Sequence, residues 1–196
     1  MSVMAEEAMT GSFGSFRGRP FTVHDLEGVP DDGHRYELLD GALVVTPAPG
    51  FRHQKIVLKL GALLERESSI EFEVLPAPFA VRPSVTTELQ PDVLVARDED
   101  LTETHLPAAP VLAVEVLSPS TQLQDRNTKK AAYERLGVPC FWVINPEVPS
   151  LLAFELDDAG RYEQVAEVKD AEAFEAERPF PVRVLPRDLL GLRRAE

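Results

Sequence analysis

Apolar and polar positions divide the chain into short strand-like runs separated by two longer stretches of helical period. Residues 1–19 are rich in Gly, Ser and Met and show no periodicity, which reads as a disordered leader. Thr22 followed by residues 23–27 predicts one capped helical turn, closed by the turn at 28–30. The apolar runs 36–39 and 42–45 flank Asp40-Gly41, a strong short-range hairpin signal, so Glu37 falls on the first strand of a hairpin. Ile56, Val57, Leu60, Leu63 and Leu64 recur at helical spacing and predict a helix over 51–66. Strands are expected at 71–75, 79–82, 92–96 and 111–117, the last almost continuously apolar. Thr121 with Gln124 three residues later has the form of a capping box for a helix over 121–136, which Gly137 ends. A buried strand follows at 141–145, and runs 151–156 and 162–168 flank a second hairpin turn at 157–160. The tail, about 180–190, predicts a short strand and a helical turn. This order predicts an α/β (α+β) fold, a mixed central sheet flanked by helices with an N-terminal hairpin.

The length of 196 residues suits one domain over 20–196. No apolar run reaches the roughly 18–20 residues of a membrane helix, and the N-terminus lacks the apolar core of a secretory signal. One cysteine, Cys140, excludes a disulfide framework and a cysteine-built zinc site, so a cytoplasmic protein is expected. The net charge of −13 speaks against wrapping of a polyanion. It leaves open an enzyme that grips a phosphodiester locally through metal ions.

Glu115 occupies the middle of Val-Leu-Ala-Val-Glu-Val-Leu, where an ionised carboxylate is costly unless paired or bound to metal. Asp92 opens a strand behind Pro91 and shares a face with Leu94 and Ala96, as Glu115 does with Ala113 and Leu117. If the two strands are neighbours, the carboxylates can converge on a hard cation such as Mg²⁺. Asp125, Lys129 and Tyr133 follow at i, i+4 and i+8 along one face of the next helix. Their bland reading is a solvated face with an Asp125–Lys129 pair; their functional reading makes Lys129 a partner of phosphate or of an attacking water. Glu37 reads either as an outward polar residue or as a further acid, and His53 as a surface or capping residue or a site member. Ser118-Pro119-Ser120 lacks the glycines of a nucleophile elbow, and no Gly-rich phosphate loop is present.

Several of these segments occur in a telling order: Tyr36-Glu37-Leu38-Leu39-Asp40-Gly41, His53-Gln54, Pro91-Asp92-Val93-Leu94-Val95, Glu115 through Thr121, Asp125 through Lys129 to Tyr133, and Gly137-Val138-Pro139 with Trp142-Val143-Ile144. The set closely resembles the Uma-two family of restriction-endonuclease-like proteins, a branch of the PD-(D/E)XK nuclease superfamily, over about residues 20–190. The resemblance implies a restriction-endonuclease-like core, often in homodimers, and an endonuclease acting on DNA with Mg²⁺ or Mn²⁺. It implies Asp92 and Glu115 as metal ligands with the Val116 carbonyl as a third, Glu37 as a further catalytic acid, and Lys129 as the motif lysine. His53, Asp125 and Tyr133 match family positions of less defined role, expected to meet substrate. The superfamily's usual lysine, two residues after the acid, is here Leu117. A catalytically silent DNA- or protein-binding member of the same fold is therefore the alternative. The acidic stretch 155–177 would repel DNA, so substrate is expected on the Lys129 side.

Overall fold

The computed structural model describes residues 19–118 and 124–191, and only the backbone of 124–126. In chain order the elements are α1 (Val23–Leu26), β1 (Arg35–Leu39), β2 (Ala42–Thr46), α2 (Phe51–Glu67), β3 (Phe72–Pro76), β4 (Ala80–Ser84), β5 (Thr87–Leu89), β6 (Val93–Arg97), β7 (His105–Leu106), β8 (Leu112–Val116), α3 (Gln124–Leu136), β9 (Cys140–Asn145), β10 (Ser150–Leu156), β11 (Tyr162–Lys169), β12 (Phe174–Ala176), β13 (Val182–Val184) and α4 (Pro186–Leu190). The leader expected over 1–19 falls outside the described residues except for Arg19, and Thr121 of the expected capping box lies outside them too. The expected helices, both hairpins and the main strands appear within a few residues of their predicted bounds. Strands β5, β7 and β12 were not foreseen, because runs of two or three residues carry no readable period.

Chain contacts gather the described residues into two compact units. The smaller holds residues 19–48 and 82–89. Its β1–β2 hairpin pairs Leu39 with Ala42, so Asp40 and Gly41 alone make the turn, at φ 51° and 82°. Both angles are those of the tight turn whose twist matches paired strands. β5 adds to β1 antiparallel with Leu38 opposite Glu88. Thr22 donates from its amide (2.8 Å) and its hydroxyl (2.9 Å) to the Asp25 carboxylate, which fixes the first turn of α1.

The larger unit holds residues 49–81 and the described residues from 90 onward. Its sheet runs β11-β10-β9-β8-β6-β3. Within this six-stranded sheet only β8 and β9 are parallel neighbours, and α3 makes the crossover between them. Alternation along the strands then sorts the residues by face. Val93, Val95, Leu112, Val114, Val116, Trp142 and Ile144 pack under Ile56, Val57, Leu60 and Leu64 of α2, in one core that includes β12, β13 and Leu189. Positions between them face the other way. There Phe141 packs against Tyr133 of α3 at 5.2 Å and stacks with Phe154 and Tyr162. Glu115 shares that second face with Ala113, which aims a carboxylate from an interior strand toward α3.

Candidate active site

The sheet register brings the two expected metal ligands together. β6 and β8 are antiparallel neighbours with Val93 opposite Val114 and Leu94 opposite Ala113. Continued outward, that register sets Asp92 against Glu115 and Pro91 against Val116. Proline has no N–H to offer the Val116 carbonyl, and the Val116 amide is taken by the Asp92 side chain, whose Oδ2 accepts it at 2.8 Å. The same oxygen lies 3.0 Å from His53 Nε2, on the first turn of α2. With the carboxylate as acceptor, Nε2 carries the hydrogen, while Nδ1 is buried without a hydrogen-bond partner. Asp92, only 1% exposed, thereby ties α2 and the ends of β6 and β8 at one point.

Glu115 is held from α3. Lys129 Nζ lies 3.1 and 3.2 Å from its two oxygens, and the Tyr133 hydroxyl donates to Oε1 at 2.7 Å. Lys129 and Tyr133 are one helical turn apart, which places both over the same strand residue. The Lys129 side chain is 7% exposed and that of Glu115 12%, so this ion pair is largely removed from water. Two of the donors that sequence reasoning had left undefined thus find their partners: His53 holds Asp92 and Tyr133 holds Glu115. Both are buried. As placed, they position carboxylates. Lys129 pairs with Glu115, and the Asp125 side chain, its partner in the bland reading, lies outside the described residues. Glu37 belongs to the smaller unit, fully buried on β1, with Arg35 Nε 3.8 Å from Oε2.

Residues 22–188 match the model of the family described as "Uma2: Putative restriction endonuclease". The chain belongs to the Uma2 family. Among solved structures, it is similar to a protein from Anabaena variabilis ATCC 29413 described as a putative nuclease belonging to DUF820. That likeness has a TM-score of 0.68 at 15% identity and covers 88% of this chain and 98% of the other. At such identity it is a likeness of fold, and the fold is the expected mixed sheet flanked by helices. No curated protein matches the chain in sequence.

In this Uma2 member, no three His, Cys, Asp or Glu side chains among the described residues gather closely enough to form a metal site by themselves. The donor set that the register creates is of another kind: two carboxylates on adjacent strands and the Val116 carbonyl, whose opposite residue is a proline. Oxygen donors of this type suit a hard divalent cation that keeps several of its own waters. The residues present fit such an ion. The Val116 amide was the contributor that sequence reasoning missed, and only the pairing of β6 with β8 reveals it.

Proposed function

We propose that this protein is a metal-dependent endonuclease of the PD-(D/E)XK type that hydrolyses DNA phosphodiester bonds, with Mg²⁺ or Mn²⁺ held by Asp92, Glu115 and the Val116 carbonyl. The family and fold support a nuclease. The observation that carries the finer reading is the burial of Lys129 against Glu115, directly across the register from Asp92. A lysine displaced from the usual strand position to the following helix still delivers its ammonium to Glu115. When bound, a divalent cation lowers the pKa of a coordinated water and neutralises charge on the phosphate. Lys129 then orients the attacking water or stabilises charge on the phosphate oxygens. His53 and Tyr133 keep the two carboxylates in place. Glu37 is assigned as a further acid by the resemblance alone. A homodimer is part of the same proposal.

The test is cleavage of supercoiled and single-stranded DNA with Mg²⁺ or Mn²⁺, comparing wild type with Glu115→Ala and Lys129→Ala. Metal-dependent cutting lost in both variants is expected. Cutting that survives Glu115→Ala rejects the assigned site.

A second reading has its own support. The Lys129–Glu115 pair already neutralises a part-buried carboxylate, as a structural ion pair would, and the chain carries −13 overall. A catalytically silent binding member of the fold would show no metal-dependent cleavage on any substrate.

A further inference from the structure

We propose that Lys129 is a resident counter-cation of Glu115 that competes with the divalent ion, so that loading the metal displaces its ammonium toward the substrate phosphate. This rests on the reading of Asp92 and Glu115 as the metal-binding pair. The near-equal distances of 3.1 and 3.2 Å place Nζ astride both oxygens of Glu115, on the edge of the carboxylate that a cation would use. With side chains 7% and 12% exposed, water screens the site little, and two cations cannot share that edge without strong repulsion.

Lys129 and Tyr133 differ in their freedom to move. Lys129 carries its charge on a flexible four-carbon stem with rotatable N–H donors. Tyr133 is a rigid ring, completely buried and packed on Phe141 at 5.2 Å, with its hydroxyl donating to Oε1 at 2.7 Å. When the ammonium leaves, Tyr133 keeps the carboxylate oriented. The mobile partner is the cationic one and the fixed partner is neutral, which is the arrangement an exchange of cations requires. A released ammonium at this position binds the anion that comes with the metal. Metal and phosphodiester binding therefore become mutually reinforcing.

The experiment measures Mn²⁺ affinity by calorimetry without DNA, together with thermal unfolding in EDTA and in Mn²⁺. The full-length wild type is compared with Lys129→Met, Lys129→Gln and Lys129→Arg. Removing the competing charge should tighten Mn²⁺ binding about tenfold in the Met and Gln variants. It should also lower their melting temperature in EDTA and enlarge the stabilisation that Mn²⁺ gives. Lys129→Arg, which keeps the charge and grips a carboxylate with a planar fork, should bind Mn²⁺ no more tightly than wild type. It serves as the folded control if the neutral variants fail to fold, and tighter Mn²⁺ binding by Lys129→Arg overturns the competition. Wild-type binding that stays equal or weakens in Lys129→Met and Lys129→Gln overturns the competition while sparing the metal reading. No binding by any form, with all folded, overturns both.

Discussion

The Tyr133 hydroxyl lies 2.7 Å from Glu115 Oε1, joining α3 to an interior strand of the large sheet. A hydrogen bond to a charged acceptor contributes about 1.5–3 kcal/mol. Tyr133→Phe removes it and retains the ring packed on Phe141. Urea denaturation should show a loss in that range, and under the proposed function DNA cleavage should fall while substrate KM changes little. Unchanged stability would mean that the contact contributes nothing measurable.

Asp92 accepts both the Val116 amide and His53, so its removal affects the fold as well as the site. Asp92→Ala leaves a strand N–H without its acceptor, a loss of about 1–3 kcal/mol before any cavity is counted. Asp92→Asn retains an acceptor oxygen and should destabilise less, yet still abolish the metal-dependent cleavage proposed above. Denaturation midpoints and cleavage rates of the two variants separate these roles.

Gly41 is constrained twice. Its φ of 82° disfavours any residue with a Cβ, and a Cβ built there falls 2.5 Å from Pro20 Cβ. Gly41→Ala should cost about 1–2 kcal/mol from the left-handed backbone, with crowding against Pro20 added. Thermal melts should show this destabilisation, whereas Gly160→Ala, with the same backbone demand and open space around it, should be the milder change.

Burial, reinforced by the nearby Glu155 carboxylate, pushes the Cys140 thiol up to about 12. At pH 8 the native thiol is almost wholly protonated and enclosed between strands. A chromogenic disulfide reagent should therefore react slowly with folded protein and rapidly after denaturation. Fast stoichiometric reaction in native buffer would contradict this burial.

Asp25 predicts one component of acid sensitivity. Its carboxyl is held well below the usual carboxylate range, first by the Arg19 guanidinium and then by the Thr22 amide and hydroxyl, which together outweigh desolvation. Because the folded form binds its proton less readily than the unfolded chain, the stabilisation is complete well above the ordinary value of 3.8. It is lost as the pH falls below that value. Asp25→Asn should flatten this part of the acid limb. Parallel stability profiles for wild type and variant between pH 5 and 2 would remove Asp25 from the account.

Much of the fold could be read along the chain because its signals are local. Asp40-Gly41 specifies a two-residue turn through backbone conformations that Gly, Asn and Asp tolerate, and the structure pairs Leu39 with Ala42 around it. The apolar spacing from Ile56 to Leu64 identifies the buried stripe of α2 without reference to what it covers. Glu115 stood out because a carboxylate inside an apolar strand demands a partner. The identity of that partner could not be read. Lys129 has a potential helical neighbour in Asp125 four residues earlier, and nothing in the spacing prefers a strand residue fourteen positions away.

The sequence by itself determined the longer elements, the hairpin turns and the residue types capable of metal and phosphate chemistry, since each depends on backbone propensity or side-chain class over a few positions. Tertiary structure alone decided that β6 pairs with β8, that the Asp92 carboxylate accepts the Val116 amide, and that Lys129 and Tyr133 close on Glu115. Those contacts depend on strand order and register, which arise from the burial of whole faces and leave no local trace in the residues they join.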